Sequence, residues 1–243
     1  MKMDNNKNHN KYAKFLKNKR VIIVGPSYHT KGYKKAEFVE SYDIVIRMNL
    51  GFRVESEKVR ADIGTKMNIW YCSFSEYFFK HKIITSKVLK KIKKDELKWI
   101  SFIYSGRRKG GLRLLNKANK ESNIPIHFVN KSYYDSLYDK TNRKISSGMM
   151  TIYDLLQFDI KELYIMGISF NNTDFIGKKR TYYSQYQKGM IYTNPKNRGR
   201  HDSLKELSIF CDLYHKDNRI SCDEILEKII NKYSRKDKYE KGK

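Results

Sequence analysis

The sequence predicts one α/β domain, a mostly parallel central sheet flanked by helices. Three observations carry this expectation. Short runs rich in Val and Ile recur from Arg20 onward, ending at Gly, Asn or another polar residue. Helix-prone stretches separate them, an alternation that favours a parallel sheet. The chain has 243 residues, a length that suits one domain and can bury a real core.

The first run, Arg20-Val-Ile-Ile-Val-Gly25, reads as a buried strand entering a turn. Tyr42–Met48 is a second strand, with a short helix over Lys34–Glu40 between them, giving a β-α-β opening. Met67–Tyr71 is another polar-to-strand junction, and Lys98–Tyr104 and Ile126–Asn130 read as further strands. Ile83–Leu97 and Leu112–Glu121 are basic and helix-prone, Gly148–Phe158 is helical, and Leu163–Ile168 is a buried strand. Leu204, Leu207, Cys211 and Tyr214 share one helical face over Asp202–His215, and a last amphipathic helix covers Asp223–Tyr233. No internal repeat or linker is visible. The expected division is a polar basic leader over 1–19, the folded domain over 20–233 and a basic tail over 234–243.

Hydrophobic residues make up 40% of the chain, with only 13 Gly and 3 Pro, which excludes a low-complexity or collagen-like scaffold. No run is long and apolar enough for a spanning helix, and residues 1–20 lack the apolar core of a signal peptide. Cys72, Cys211 and Cys222 are too few and scattered for a disulfide framework or a zinc site. The expectation is a cytoplasmic protein. The net charge of +25 invites a nucleic-acid reading, so its distribution matters. Residues 1–20 carry seven basic groups against one acid and residues 228–243 seven against two, so eleven charges lie in the terminal stretches. Lys80–Lys98 and Arg107–Lys120 add six each. Such runs are solvated faces that could steer an anionic substrate or an anionic membrane surface. They match no helix-turn-helix, RRM or finger pattern, so no nucleic-acid partner is expected.

Four stretches could carry chemistry. Val24-Gly25-Pro26-Ser27 ends a strand where α/β sheets place phosphates, because free backbone N–H groups point outward there. An ordinary strand-to-helix turn accounts for it as well, since neither a dinucleotide fingerprint nor a P-loop is present. Arg47 and Asn49 break an apolar strand at its carboxyl end, where they could serve a ligand or hold a neighbouring loop. Ser146-Ser147-Gly148 opens a helix with two hydroxyls and no Cβ in the way, either an anion cradle or a plain N-cap. His201 precedes a helix with Glu206 five residues on. That is a general base with its partner, or a surface His beside an S-x-x-E capping box made by Ser203 and Glu206. His9, His29, His81, His127 and His215 offer no motif. No H-E-x-x-H and no Asp-x-Asp occurs, so no metal is expected.

Taken in order, these stretches resemble the sialyltransferases of the eukaryotic type, defined by large, small, third and very small sialylmotifs. Residues 20–71 resemble the large motif: V-I-I-V-G-P-S, then D-I-V-I-R-M-N, then A-D-I-G-T-K. Residues 145–170 resemble the small motif, with S-S-G-M-M leading into L-Y-I-M-G-I-S-F. Tyr182 and Tyr183 stand where the third motif has its tyrosine pair, and His201 to Glu206 matches the His-x4-Glu of the very small motif. Pro26 replaces the family's usual Asn in the first turn, and Arg180 and Thr181 stand where a His usually precedes the tyrosines. The cysteines of the family's disulfide are also missing. The resemblance therefore points to a divergent bacterial or viral member.

The resemblance implies a Rossmann-like architecture, a variant of the GT-A fold. It also implies metal-independent, inverting transfer of sialic acid, or a related sugar, from a CMP-sugar to a glycan hydroxyl. No cofactor is implied beyond the donor substrate, CMP-sialic acid or a similar CMP-sugar; CMP-Kdo remains open. Gly25, Ser27, Asn49, Asn68 and Gly167 would hold the nucleotide, and Ser146, Ser147 and Gly148 would face the phosphate and carboxylate. Arg180, Tyr182 and Tyr183 would lie at the donor phosphate. His201 would be the general base, with Glu206 supporting or orienting it. A CMP-binding protein without turnover and a basic nucleic-acid-binding α/β protein are the alternatives.

Overall fold

The computed structural model describes residues 5–52, 54, 56–103, 109–170 and 201–241. Within them, seven strands form one sheet: β1 (Arg20–Val24), β2 (Ile44–Met48), β3 (Ile69–Cys72), β4 (Trp99–Phe102), β5 (Ile126–Phe128), β6 (Glu162–Met166) and β7 (Ile220–Cys222). Every pair is parallel, in the order β5-β4-β3-β2-β1-β6-β7. Strands β1 to β5 step outward on one side, and the chain then returns to lay β6 on the other side of β1. The strand order reverses between β1 and β6, and in sheets of this kind the crevice that takes ligands lies outside the carboxyl ends of the strands at such a switch point. The α/β expectation holds in full.

Strand residues alternate between two apolar layers, as the two-residue period requires. Val21, Ile23, Ile44, Ile46, Leu163 and Ile165 face one layer. That layer is closed by α1 (Asn5–Leu16), α7 (Lys131–Thr141), α8 (Ser147–Leu155), α9 (Ser203–Lys216) and α10 (Glu224–Lys241). Ile22, Val24, Val45, Trp70 and Ile100 face the other. There lie α2 (Ala36–Glu40), α3 (Glu57–Ile63), α4 (Glu76–Lys80), α5 (Ser86–Lys94) and α6 (Lys109–Asn119). The basic stretches of α4 to α6 thus lie on the layer opposite α8 and α9. Lys90 Nζ meets Glu121 there at 2.5 Å, and Lys93 Nζ donates to the Ser122 carbonyl at 2.5 Å.

The stretch expected to be a leader holds helix α1 over Asn5–Leu16. Helix α1 packs on the sheet with Tyr12 and Leu16 fully buried, because its few apolar residues fall on one helical face amid Lys and Asn. Tyr12 stacks on His127, with ring centroids 4.0 Å apart and planes 6° from parallel. Its hydroxyl lies 2.8 Å from that of Tyr71 and accepts from Ser101 Oγ at 3.1 Å. Tyr71 donates to Asp154 Oδ2 at 2.7 Å, and His127 Nε2 lies 3.0 Å from the same oxygen. Tyr71 is therefore left to accept from Tyr12, and the chain of hydroxyls runs one way. Burial, reinforced by Asp154, pushes both phenols well above their ordinary range, so they stay protonated donors. Tyr12→Phe, which leaves Ser101 and Tyr71 short of a partner in this dry network, is expected to cost about 1–3 kcal/mol in chemical unfolding. The last helix likewise outruns its expected end at Tyr233 and continues through the tail to Lys241. Asn130 caps α7 by accepting from the Ser132 amide at 3.0 Å.

Candidate active site

At the crevice, the turns after β1 and β6 meet backbone to backbone. The Gly25 amide donates to the Met166 carbonyl at 2.7 Å, and the Ser27 amide to that of Gly167 at 2.9 Å. A Cβ on Gly25 would lie 2.2 Å from the Gly167 carbonyl oxygen, and one on Gly167 would lie 2.6 Å from that of Gly25. Gly167 also has φ +74°, a conformation other residues enter only with strain. Both glycines are therefore dictated by the crossing. Ser27 is 4% exposed and donates to Ser169 Oγ at 3.2 Å.

Asn49 follows β2 with φ +49°, which Asn tolerates better than most side chains. Its amide donates to the Tyr71 carbonyl at 2.9 Å and its carbonyl accepts from Trp70 Nε1 at 2.7 Å. The backbone is thereby anchored on both sides, and the side chain meets the start of α8. Ser147 Oγ donates to Asn49 Oδ1 at 3.5 Å. Ser146 is the N-cap of α8, its Oγ accepting from the Met149 amide at 3.2 Å. A Cβ on Gly148 would sit 3.4 Å from Ile168 Cδ1, an ordinary contact, so the helix start lies against the β6 turn without requiring glycine there.

Glu206, 2% exposed, binds Ser146 twice. Oε1 accepts from the Ser146 amide at 2.7 Å and Oε2 from its hydroxyl at 2.5 Å. Burial pushes the carboxyl up to about 7 even though both Ser146 bonds pull it down. His201 stands just before α9, its side chain 28% exposed, with Nδ1 2.6 Å from the Lys144 carbonyl and 3.9 Å from Glu206 Oε1. A carbonyl can only accept, so Nδ1 carries a proton and Nε2 is the basic nitrogen of the neutral ring. The capping box does not form. Asp202 caps α9 instead, accepting from the Lys205 amide at 3.1 Å, which leaves Glu206 to Ser146.

His201, Glu206, Ser146, Ser147 and Asn49 thus form one contiguous line, with Gly148, Gly167, Gly25 and Ser27 beside it. Asn68 does not join them. It precedes β3 at the opposite end of the sheet, where its Oδ1 accepts from the Val45 amide at 2.9 Å and its amide donates to the Val45 carbonyl at 2.8 Å. A polar residue entering a strand and one leaving it look alike in sequence, and only strand direction tells them apart. Arg47, fully buried, turns away from the crevice and donates to the carbonyls of Ile63, Gly64 and Lys66 at 2.8–3.0 Å. It holds the end of α3. Arg180, Tyr182 and Tyr183 lie outside the described residues. Sequence reasoning missed the clamp of Glu206 on Ser146, which spans 60 residues, and Ser169 beneath Ser27. The nearest signal for the latter was a Ser in the run that follows Gly167.

Solved structures resemble this fold, among them the following three. A mammalian sialyltransferase in complex with Gal-beta-1-3GalNAc-ortho-nitrophenol aligns over 87% of this chain and 71% of its own, with TM-score 0.57 and 15% identity. The sialyltransferase CstII from Campylobacter jejuni, in complex with the substrate analogue cytidine-5'-monophosphate, aligns over 85% and 80%, with TM-score 0.51 and 20% identity. A second structure of a mammalian sialyltransferase gives 91% and 79%, TM-score 0.53 and 14% identity. The chain has a sialyltransferase-like fold. No family model matches it, and no curated protein matches its sequence.

The sialyltransferase-like fold puts a helix N-terminus, two hydroxyls and an amide side chain beside one imidazole. That set can receive an anion and remove a proton near it. Among the described residues no group of three His, Cys, Asp or Glu could hold a metal, and no helix is long and apolar enough to cross a membrane. Cys72, Cys211 and Cys222 are buried thiols.

Proposed function

We propose that this chain is a glycosyltransferase that moves sialic acid, or a related sugar, from a CMP-sugar to a glycan hydroxyl with inversion. The observation that carries this reading is the convergence of Asn49, Ser147, Ser146, Glu206 and His201 at the β1/β6 crevice. The Gly25–Ser27 turn and Asn49 hold the cytidine portion. The N-terminus of α8, with Ser146, Ser147 and Gly148, faces the phosphate and the sugar carboxylate. His201 Nε2 takes the proton of the acceptor hydroxyl as its oxygen attacks the anomeric carbon. The bond from that carbon to the phosphate oxygen breaks on the opposite face, and CMP leaves with the electron pair. Glu206, when ionised, favours the imidazolium and keeps the base in register with the phosphate cradle, so it is a positioning residue. CMP is a good leaving group and the donor's carboxylate helps stabilise an oxocarbenium-like transition state, so the chemistry asks for no metal.

The test is incubation with CMP-sialic acid and a galactoside in the presence of EDTA. Release of CMP together with a sialylated product is expected. A protein that neither binds CMP nor releases it from any CMP-sugar overturns the reading. Binding without release identifies the inactive alternative.

A further inference from the structure

Behind the crevice, one strand further from Asn49, lies a polar cluster that the reaction above does not use. Asp223 follows β7 and is fully buried. Its Oδ1 accepts from the Leu226 amide at 2.9 Å and so caps α10. Its Oδ2 accepts from the Gly167 amide at 2.7 Å and lies 3.0 Å from Nε2 of His29. The His29 side chain is 3% exposed and sits in the 3-10 turn Tyr28–Thr30, two residues after Ser27. One carboxylate therefore joins the turn after β1, the turn after β6 and the start of α10.

The other nitrogen of His29, Nδ1, is buried with no partner among the described residues. A Phe or Leu would bury similar area without an orphaned polar atom, whose burial is costly. What the imidazole supplies is the Nε2 donor to Asp223. We infer that His29 is a positioning residue for the donor nucleotide: through Asp223 it holds the Gly167–Ser169 turn against the Gly25–Ser27 turn, which together form the nucleotide side of the crevice. The two turns meet each other through Ser27, whose amide donates to the Gly167 carbonyl and whose hydroxyl donates to Ser169. Removing the donor from Asp223 loosens that wall and leaves Asn49, the start of α8 and His201 as they are.

This inference rests on the CMP-sugar reading, and its test separates the two. His29→Phe is expected to raise the KM for the CMP-sugar about tenfold with kcat and acceptor KM within about twofold of the unsubstituted protein, because only ground-state and transition-state binding of the nucleotide is weakened alike. His29→Gln, whose amide can donate to Asp223, is expected to restore the donor KM to within about twofold. A fall in kcat with donor KM unchanged, or a His29→Phe protein identical to the unsubstituted one, overturns the inference while leaving the reading intact. Should both variants fail to fold, the unsubstituted protein still decides. Saturation with CMP is expected to shift the ring-nitrogen resonances of His29 and to slow amide exchange of Gly167, and no change in either overturns the inference. A protein that binds no CMP at all overturns the reading itself, and this inference with it.

Discussion

His201→Ala is expected to lower turnover about 10²–10⁴-fold, the usual contribution of a positioned general base, the role proposed for His201. Unfolding should barely move, because the His201 side chain is 28% exposed and its described anchors are the Lys144 carbonyl and the nearby Glu206 carboxylate. The sharper variant is His201→Asn. Its side-chain amide can replace Nδ1 as donor to Lys144 and hold the segment before α9, yet it offers no basic nitrogen. Turnover should fall as far as in His201→Ala, with CMP affinity unchanged in isothermal titration. The two variants together separate loss of the base from loss of loop geometry, and an Asn variant with undiminished turnover removes His201 from its role.

Glu206→Gln is expected to change how stability depends on pH. In the folded protein burial lifts this carboxyl to about 7 from an ordinary value of 4.5. A carboxyl raised by folding contributes fully below its unfolded value, and that contribution is lost as pH rises through the folded one. The burden of ionising Glu206 grows from about pH 4.5 to about pH 7 and is constant above that, reaching about 3 kcal/mol. Gln keeps an oxygen for the Ser146 amide and has nothing to ionise. In urea unfolding, the stability gap between Glu206→Gln and the unsubstituted protein should therefore shift by about 3 kcal/mol in favour of Gln between about pH 4 and about pH 8. A gap that stays flat across this range would show that the carboxyl titrates in its ordinary place. The same variant loses the negative charge 3.9 Å from His201, so on the proposed reaction turnover should drop most where the unsubstituted protein has Glu206 ionised, above about pH 7.

Much of this was legible along the chain, and the misses share a cause. The strands of β1, β2, β4 and β6 stood out because a buried parallel strand is a continuous apolar run, which few other elements produce. Strand β7 escaped because Ile220–Cys222 offers only three residues, one of them exposed. Helix α1 escaped because its apolar residues are diluted by Lys and Asn, so composition hid a face that periodicity contains. His29 stood in a polar stretch and offered no motif, yet its side chain is buried against Asp223, a partner 194 residues away that no local pattern shows.

The site divides in the same way. Gly25, Asn49, Ser146 to Gly148, Gly167 and His201 could be named because each occupies a strand end or helix start, and those positions are written locally in the residue pattern. The tertiary structure decided which of those ends share one side of the sheet. It set Asn68 at the far end and turned Arg47 onto α3. It gave Glu206 to Ser146 rather than to the helix cap, and brought His29 to Asp223. Local sequence determines the conformation of a few residues, whereas a hydrogen bond across the sheet depends on strand order and direction. That order, with β6 returning beside β1, is what makes the separate polar stretches into one crevice.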